Sequence, residues 1–495
     1  MKKCRILCLI LSLCFLLPLF AHADPAKDDF LTPPPELKEF NYPSDFTVDA
    51  PAYALVELKS NSIIFSKELD MKRFPASLTK IMTCMLAIEY GKPTDILTVS
   101  ASALQNLHAS GSTAGLVEGE EMSLDDMLYC VMLWSANEGC NVIGEHVSGS
   151  VEAFVELMNQ TAQALGMENT HFANTHGLHD ENHYTTVRDM LTLSRWAWNN
   201  ETFRKYAVAT SYDVPATNKS DVRSLHTTNH LVSTDVDGRY FYSYARGIKT
   251  GYTTPAGGCL VSTATDGDAE YLSIVMGCDL MSNDQDMRFI ETKRMFRHAF
   301  ETYSFMQILT DSTMLDQPTV KNAVGRGDVV VHAADNVTVL LPKTCTPEDI
   351  TVRLSYDGDL VAPVSKGQKV GTVTVLYQGL ELAESDLLAL TDVAAPVVVD
   401  PTAPTQATQS PVTQEKEGGF RMSYILWPLG ILFAVVFAAF VVMQIVNARR
   451  ARRRAMERRM RQERRTRYYQ TEPVSLSELI EQSEETPNET SDDLH

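Results

Sequence analysis

Three short motifs in this 495-residue chain place side chains that could carry an acyl transfer: Ser77-Leu-Thr-Lys80, Ser135-Ala-Asn137 and Lys249-Thr250-Gly251. A serine hydroxyl is a weak nucleophile and needs a base within hydrogen-bond reach. Lys80 follows Ser77 by three residues, one helical turn on and on the same face. Pro75-Ala-Ser77 precedes a helical pattern, so Ser77 is expected at a helix N-terminus, where unpaired N–H groups favour negative charge. A lysine serves as base only when burial or a neighbouring cation lowers its pKa, and Lys249 is the candidate neighbour. Ser135 and Asn137 would supply a hydroxyl for proton relay and an amide to hold a substrate. Lys249 and Thr250 can bind a carboxylate, and Gly251 on a strand lets a substrate backbone come close. Each motif alone is weak: Ser77-x-x-Lys80 reads equally as a solvated helix face, and Ser135-Ala-Asn137 as a helix cap. Their order, on helix, connection and strand, is what makes coincidence improbable.

The surrounding pattern supplies those elements. Ala52–Leu58 and Ile63–Phe65, separated by polar residues, predict a hairpin. Apolar residues at Ile81, Met82, Met85, Leu86 and Ile88 predict a helix over 77–90 with a buried face. Met122–His146 predicts helical material on both sides of Ser135, and Val151–Leu165 a further helix. Gly247–Tyr252, Cys259–Thr265 and Tyr271–Cys278 predict strands punctuated by Pro255–Gly258 and Asp266–Asp268, and Glu291–Tyr303 a closing helix. Strands at both ends with helices between imply an α+β domain over 46–305, with one antiparallel sheet and helices packed on it. Residues 311–390, with short β-branched runs, predict a small all-β domain, and 394–419, rich in Pro, Thr and Gln, a linker.

The two ends read as targeting segments. Lys2, Lys3 and Arg5, an apolar run to Phe20 and Ala21-His22-Ala23 predict a signal peptide over 1–23. Ile425–Val446 carries no charge, and at ~1.5 Å per residue it would span ~33 Å, enough for a ~30 Å bilayer core. Arg449–Arg454 at its far edge predicts a cytoplasmic tail over 447–495, and hence a single-pass membrane protein with its catalytic domain outside. The net charge of −20 misleads as a single number, because arginines cluster over 449–467; the region before the span is acidic, so nothing suggests nucleic-acid binding, and the arginine run beside the span reads as a lipid-headgroup contact. Six cysteines remain after the signal peptide, without metal-ligand spacing, and are expected to be mostly buried thiols, with Cys130–Cys140 an open pairing. His176, His179 and His183 lie among turn residues without a helix to fix ligand geometry. They read as a structural loop, and no metal or cofactor is expected.

The three motifs together resemble those of penicillin-binding proteins and class A β-lactamases. Phe74–Thr83, Leu165–Leu178, Gly247–Val261 and Lys366–Gly371 extend the resemblance to the low-molecular-mass penicillin-binding proteins of peptidase family S11, serine-type D-alanyl-D-alanine carboxypeptidases. It implies a β-lactamase/transpeptidase-like catalytic domain followed by a β domain, with peptidoglycan stem pentapeptides as substrates and β-lactams as covalent inhibitors. By position it makes Ser77, Lys80 and Ser135 catalytic. It gives Asn137, Lys249, Thr250, Gly251, Tyr252 and, through Arg288–Lys293, Arg288 to substrate binding. Backbone N–H groups of Ser77 and Tyr252 would form the oxyanion hole. The chain departs from many members at its end, where a full span and charged tail replace a terminal amphipathic helix, which leaves room for a cytoplasmic partner. Two alternatives stay open: a class A-like β-lactamase, and a catalytically weak muropeptide sensor. The first is opposed by the absence of a suitably placed deacylating glutamate, since Glu156-Leu-Met-Asn159 is too near Ser135 and wrongly spaced.

Overall fold

The computed structural model describes residues 30–396, apart from 41, 43, 44, 106, 109, 110, 281–283 and 326. The expected signal peptide, membrane span and tail, and all but the first residues of the expected linker, lie outside the described residues.

Two short apolar runs near the start of the chain form β2 (Ala52–Glu57) and β3 (Ser62–Lys67), and the charged pair before them forms β1 (Lys38–Glu39). Two small ribbons follow, β4 (Ile96–Thr98) with β5 (Glu121–Ser123) and β6 (Ser211–Val214) with β7 (Arg223–His226). Then β8 (Ala245–Thr253), β9 (Gly257–Thr265) and β10 (Glu270–Cys278) join the first three in one sheet of order β1-β3-β2-β10-β9-β8. The pairing of β10 with β2, Ile274 opposite Ala54, unites the two ends of the domain. All pairs are antiparallel except β1 with β3. β8, which carries Lys249-Thr250-Gly251, is an edge strand.

The sheet is buried on both faces. Ala54, Val56, Leu272, Ile274 and Met276 point into one core, while Leu55, Tyr271 and Val275 point into another, as a period of two requires. Over the first face lie α1 (Lys80–Tyr90), α2 (Leu124–Leu133), α3 (Asn137–Ser148), α4 (Val151–Ala164), α5 (Val187–Asn199) and α6 (Glu201–Ala207). Their starts are written in the sequence. Ser123, Ser150, Thr186 and Asn200 each accept an N–H of the first turn, a cap worth ~1 kcal/mol apiece. After the short α7 (Thr234–Asp237), α8 (Met287–Thr302) packs on the second face through Phe289, Met295 and Phe296.

The β domain comprises β11 (Tyr303–Leu309), β12 (Met314–Asp316), β13 (Val331–Ala333), β14 (Val337–Pro342), β15 (Ile350–Tyr356), β16 (Lys369–Tyr377) and β17 (Leu380–Ala389). They form a five-stranded sheet, β12-β13-β17-β16-β15, and a β11-β14 pair. Tyr42 joins the domains: its hydroxyl donates to the Leu340 carbonyl at 2.7 Å, and its ring lies 5.2 Å from that of Tyr303.

Two expected boundaries move. The folded unit begins before residue 46, because β1 pairs with β3 and Tyr42 is buried; a two-residue strand after prolines leaves no periodicity to read. The β domain begins at Tyr303 rather than 311, since β11 follows α8 with no turn residue between them. Cys84, Cys130, Cys140, Cys259 and Cys278 are buried free thiols, so Cys130 and Cys140 are unbridged; Cys345 is half-buried and free.

Candidate active site

Ser77 sits in a tight 3₁₀ turn, Ala76–Thr79, that runs into α1. Ala76, just before it, holds φ at 48°, a left-handed conformation that a non-glycine residue rarely adopts. Thr79 secures the turn by donating to the Ala76 carbonyl at 2.8 Å. Behind it, His183 Nδ1 accepts the Ala173 N–H at 3.0 Å, so the neutral ring donates through Nε2 to the Thr79 hydroxyl at 2.7 Å. Burial holds His183 neutral by pushing its pKa down to about 3. Gly177 closes over the same turn with φ 91°; a Cβ there would stand 1.8 Å from the Ala76 oxygen.

Lys80 is fully buried. Its Nζ lies 2.9 Å from Ser77 Oγ, 2.8 Å from Asn137 Oδ1 and 2.6 Å from the His176 carbonyl. Desolvation pulls its pKa down to about 8, against the smaller upward pull of Cys140 and Glu138. Of the two causes open from the sequence, burial rather than the Lys249 charge is therefore the main one at Lys80. About a tenth of the side chain is then neutral at pH 7. In that state the 2.9 Å contact runs from the serine hydroxyl to the amine.

The second motif turns back beneath this pair. Ser135 adopts φ 59° between α2 and α3, which aims its hydroxyl at Lys249 Nζ, 3.1 Å away. Asn137 opens α3 and spends its carbonyl on Lys80, leaving its amide NH₂ to face the cleft. On β8, Lys249 Nζ also donates to the Thr250 carbonyl at 2.9 Å. Burial, then the charge of Lys80, lowers the Lys249 pKa well below its ordinary value. A carboxylate arriving beside it would reverse that shift. A Cβ at Gly251 would lie 3.1 Å from the Ser77 nitrogen, so a side chain there would push the edge strand a few tenths of an ångström away from the nucleophile turn. Tyr252 is 51% exposed beside them.

Arg288, on the first turn of α8, donates to the Gly251 carbonyl at 3.0 Å and pairs with Asp286 at 2.9 Å. Ser77, Ser135, Asn137, Thr250, Gly251, Tyr252 and Arg288 line one cleft of about 750 Å³, with Lys80 and Lys249 reaching in from behind. All nine residues singled out in the sequence therefore meet. Four participants carried no sequence signal: Thr228, whose hydroxyl meets that of Thr250 at 2.6 Å; Asp286; Ser112; and the His176 carbonyl. The three histidines act separately. His176 Nδ1 accepts the Leu178 N–H, His179 packs edge-on to Phe74 and meets Glu181, and His183 braces Thr79. Glu156, on α4, accepts from Gln160 on an exposed face.

A serine bonded to a buried lysine, a second serine bonded to a second lysine, and an edge strand beside both define a serine enzyme of acyl transfer. The family description "D-alanyl-D-alanine carboxypeptidase" matches residues 39–279, and "Penicillin-binding protein 5, C-terminal domain" matches residues 312–395. D-alanyl-D-alanine carboxypeptidase DacC of Escherichia coli K12 is 30% identical over 359 residues, which cover 70% of this chain and 85% of the relative. DacF of Bacillus subtilis is 29% identical over 355 residues, covering 70% and 87%. The structure of penicillin binding protein 5 from Haemophilus influenzae superposes with a TM-score of 0.55 at 26% identity, covering 71% of this chain and 99% of its own. The chain belongs to the D-alanyl-D-alanine carboxypeptidase family of serine peptidases, with the transpeptidase-like α+β fold and C-terminal β domain of penicillin-binding proteins.

Proposed function

We propose that this protein removes the terminal D-alanine from peptidoglycan stem pentapeptides through an acyl-enzyme on Ser77, and that β-lactams acylate the same hydroxyl. The observation that carries the reading is the 2.9 Å contact between Ser77 Oγ and the buried Lys80 amine. Neutral Lys80 takes the hydroxyl proton as Oγ attacks the carbonyl between the two D-alanines. The oxyanion is received by the backbone N–H groups of Ser77 and Tyr252. Ser135, fixed by Lys249, passes a proton to the departing D-alanine nitrogen. Water then attacks the ester by the same proton path in reverse. Asn137 holds the peptide through its amide, and the extended substrate backbone lies along β8 beside Gly251. Lys249, Thr250 and Arg288 receive the terminal carboxylate.

The carboxylate end separates a carboxypeptidase from an endopeptidase. Arg288→Leu is expected to raise KM for an N-acylated Lys-D-Ala-D-Ala tripeptide and lower kcat/KM by ~10–100-fold, with a smaller change in kcat, the loss of one charge-assisted hydrogen bond. Capping the peptide's C-terminus as an amide should cost the wild type a similar factor and the variant little more. An amide cleaved as fast as the free acid would favour an endopeptidase.

The signal peptide, the apolar run over 425–446 and the arginines beyond it support a single-pass arrangement, with the catalytic domain outside and the tail free to meet cytoplasmic partners. A chain ending at Gly418 is therefore expected to be released from membranes and to keep wild-type kcat/KM. A truncated chain that folds but has lost activity would contradict this modular plan.

A further inference from the structure

Glu138, next to the Ser135-Ala-Asn137 motif, is 2% exposed. Its Oε1 accepts both the Thr113 hydroxyl and the Ala114 N–H, each at 2.6 Å. Among the described residues its Oε2 is buried with no hydrogen-bond partner. The Asn137 N–H donates to the Ser112 carbonyl at 3.0 Å, and a Cβ on Gly111 would lie 2.7 Å from the Asn137 amide nitrogen. Gly111 and Ser112 form one wall of the cleft. A carboxylate is costly to bury without a cation, and Lys80 is a buried cation that feels this one.

We propose that Glu138 is a positioning residue with two duties: it ties the 112–114 wall to the start of α3, and it is the buried negative charge that offsets the Lys80 ammonium. The proposal rests on Lys80 being the base. The groups facing Lys80 are Ser77 on its own turn, Asn137, Glu138 and Cys140 on α3, Lys249 on β8, and His176 and His183 in the loop behind. Burial keeps both histidines neutral. It also pushes the Cys140 thiol up to about 11, so this thiol is protonated where Lys80 titrates. Glu138 is left as the anionic neighbour. It favours protonated Lys80, so its removal should make the amine neutral at lower pH.

The test is the pH dependence of kcat/KM for an N-acylated Lys-D-Ala-D-Ala tripeptide, on the purified full chain and two variants. In the wild type the acid limb reports the free enzyme's base. Glu138→Gln is expected to move that limb to lower pH, so that at the wild-type half-point the variant is near its own plateau. Thr113→Val keeps the charge and removes one tether; it should raise KM about tenfold and leave the limb where it was. A Glu138→Gln limb that coincides with wild type overturns the charge role. Should that variant not fold, Thr113→Val decides, and an unchanged KM overturns the tether. A wild-type profile flat across the neutral range would instead remove Lys80 as base, and this proposal with it.

Discussion

Ser77→Ala is expected to abolish both D-alanine release and covalent labelling by penicillin, with a loss of at least ~10⁴-fold in kcat. The fold should survive, because among the described residues the hydroxyl makes one hydrogen bond, to Lys80, and Lys80 keeps Asn137 and the His176 carbonyl. Unchanged thermal unfolding beside absent labelling would place the loss in chemistry. Labelling retained by the alanine variant would remove Ser77 as nucleophile, whatever the fate of the peptide.

The second large effect is expected at Lys80. Methionine matches its length without charge, and Lys80→Met should lower kcat/KM for the peptide by ~10³-fold or more, within the range a positioned base supplies. It also leaves the Asn137 and His176 oxygens without a donor, at ~1–3 kcal/mol each, so unfolding should be measured alongside activity. In the wild type, a lysine pulled down to about 8 is protonated and inactive below that pH and neutral above it. Acylation by penicillin should therefore rise with pH through a half-point near 8. A Lys80→Met variant that folds and is acylated at the wild-type rate would show that another group takes the proton.

Much of this architecture is legible in the chain because it is built from local periods. The nearly continuous apolar runs of Ala52–Glu57 and Tyr271–Cys278 and the apolar stripe of Ile81–Leu86 mark strands and helix directly, whereas the helix over Val187–Asn199 is not among the expected elements. The catalytic side chains are visible because their spacing is short. What escapes is contact between distant segments. Asn137 reads as a hand for the substrate, yet half of it holds Lys80, 57 residues away. Thr228 beneath Thr250 and Thr113 beside Glu138 are polar residues in irregular chain, with no period to reveal their partners. β1 is too short to show alternation, and β11 begins where a helix ends without a turn residue. Arg288 is legible only through the resemblance; its orientation depends on Asp286, a fact of folding rather than pattern.

The most direct test of the central claim is to incubate the purified full chain with diacetyl-Lys-D-Ala-D-Ala and measure free D-alanine. One equivalent of D-alanine per peptide consumed, arrested by stoichiometric penicillin bound at Ser77, is the expected result. Stable penicillin labelling of Ser77 with no D-alanine released would contradict the carboxypeptidase account.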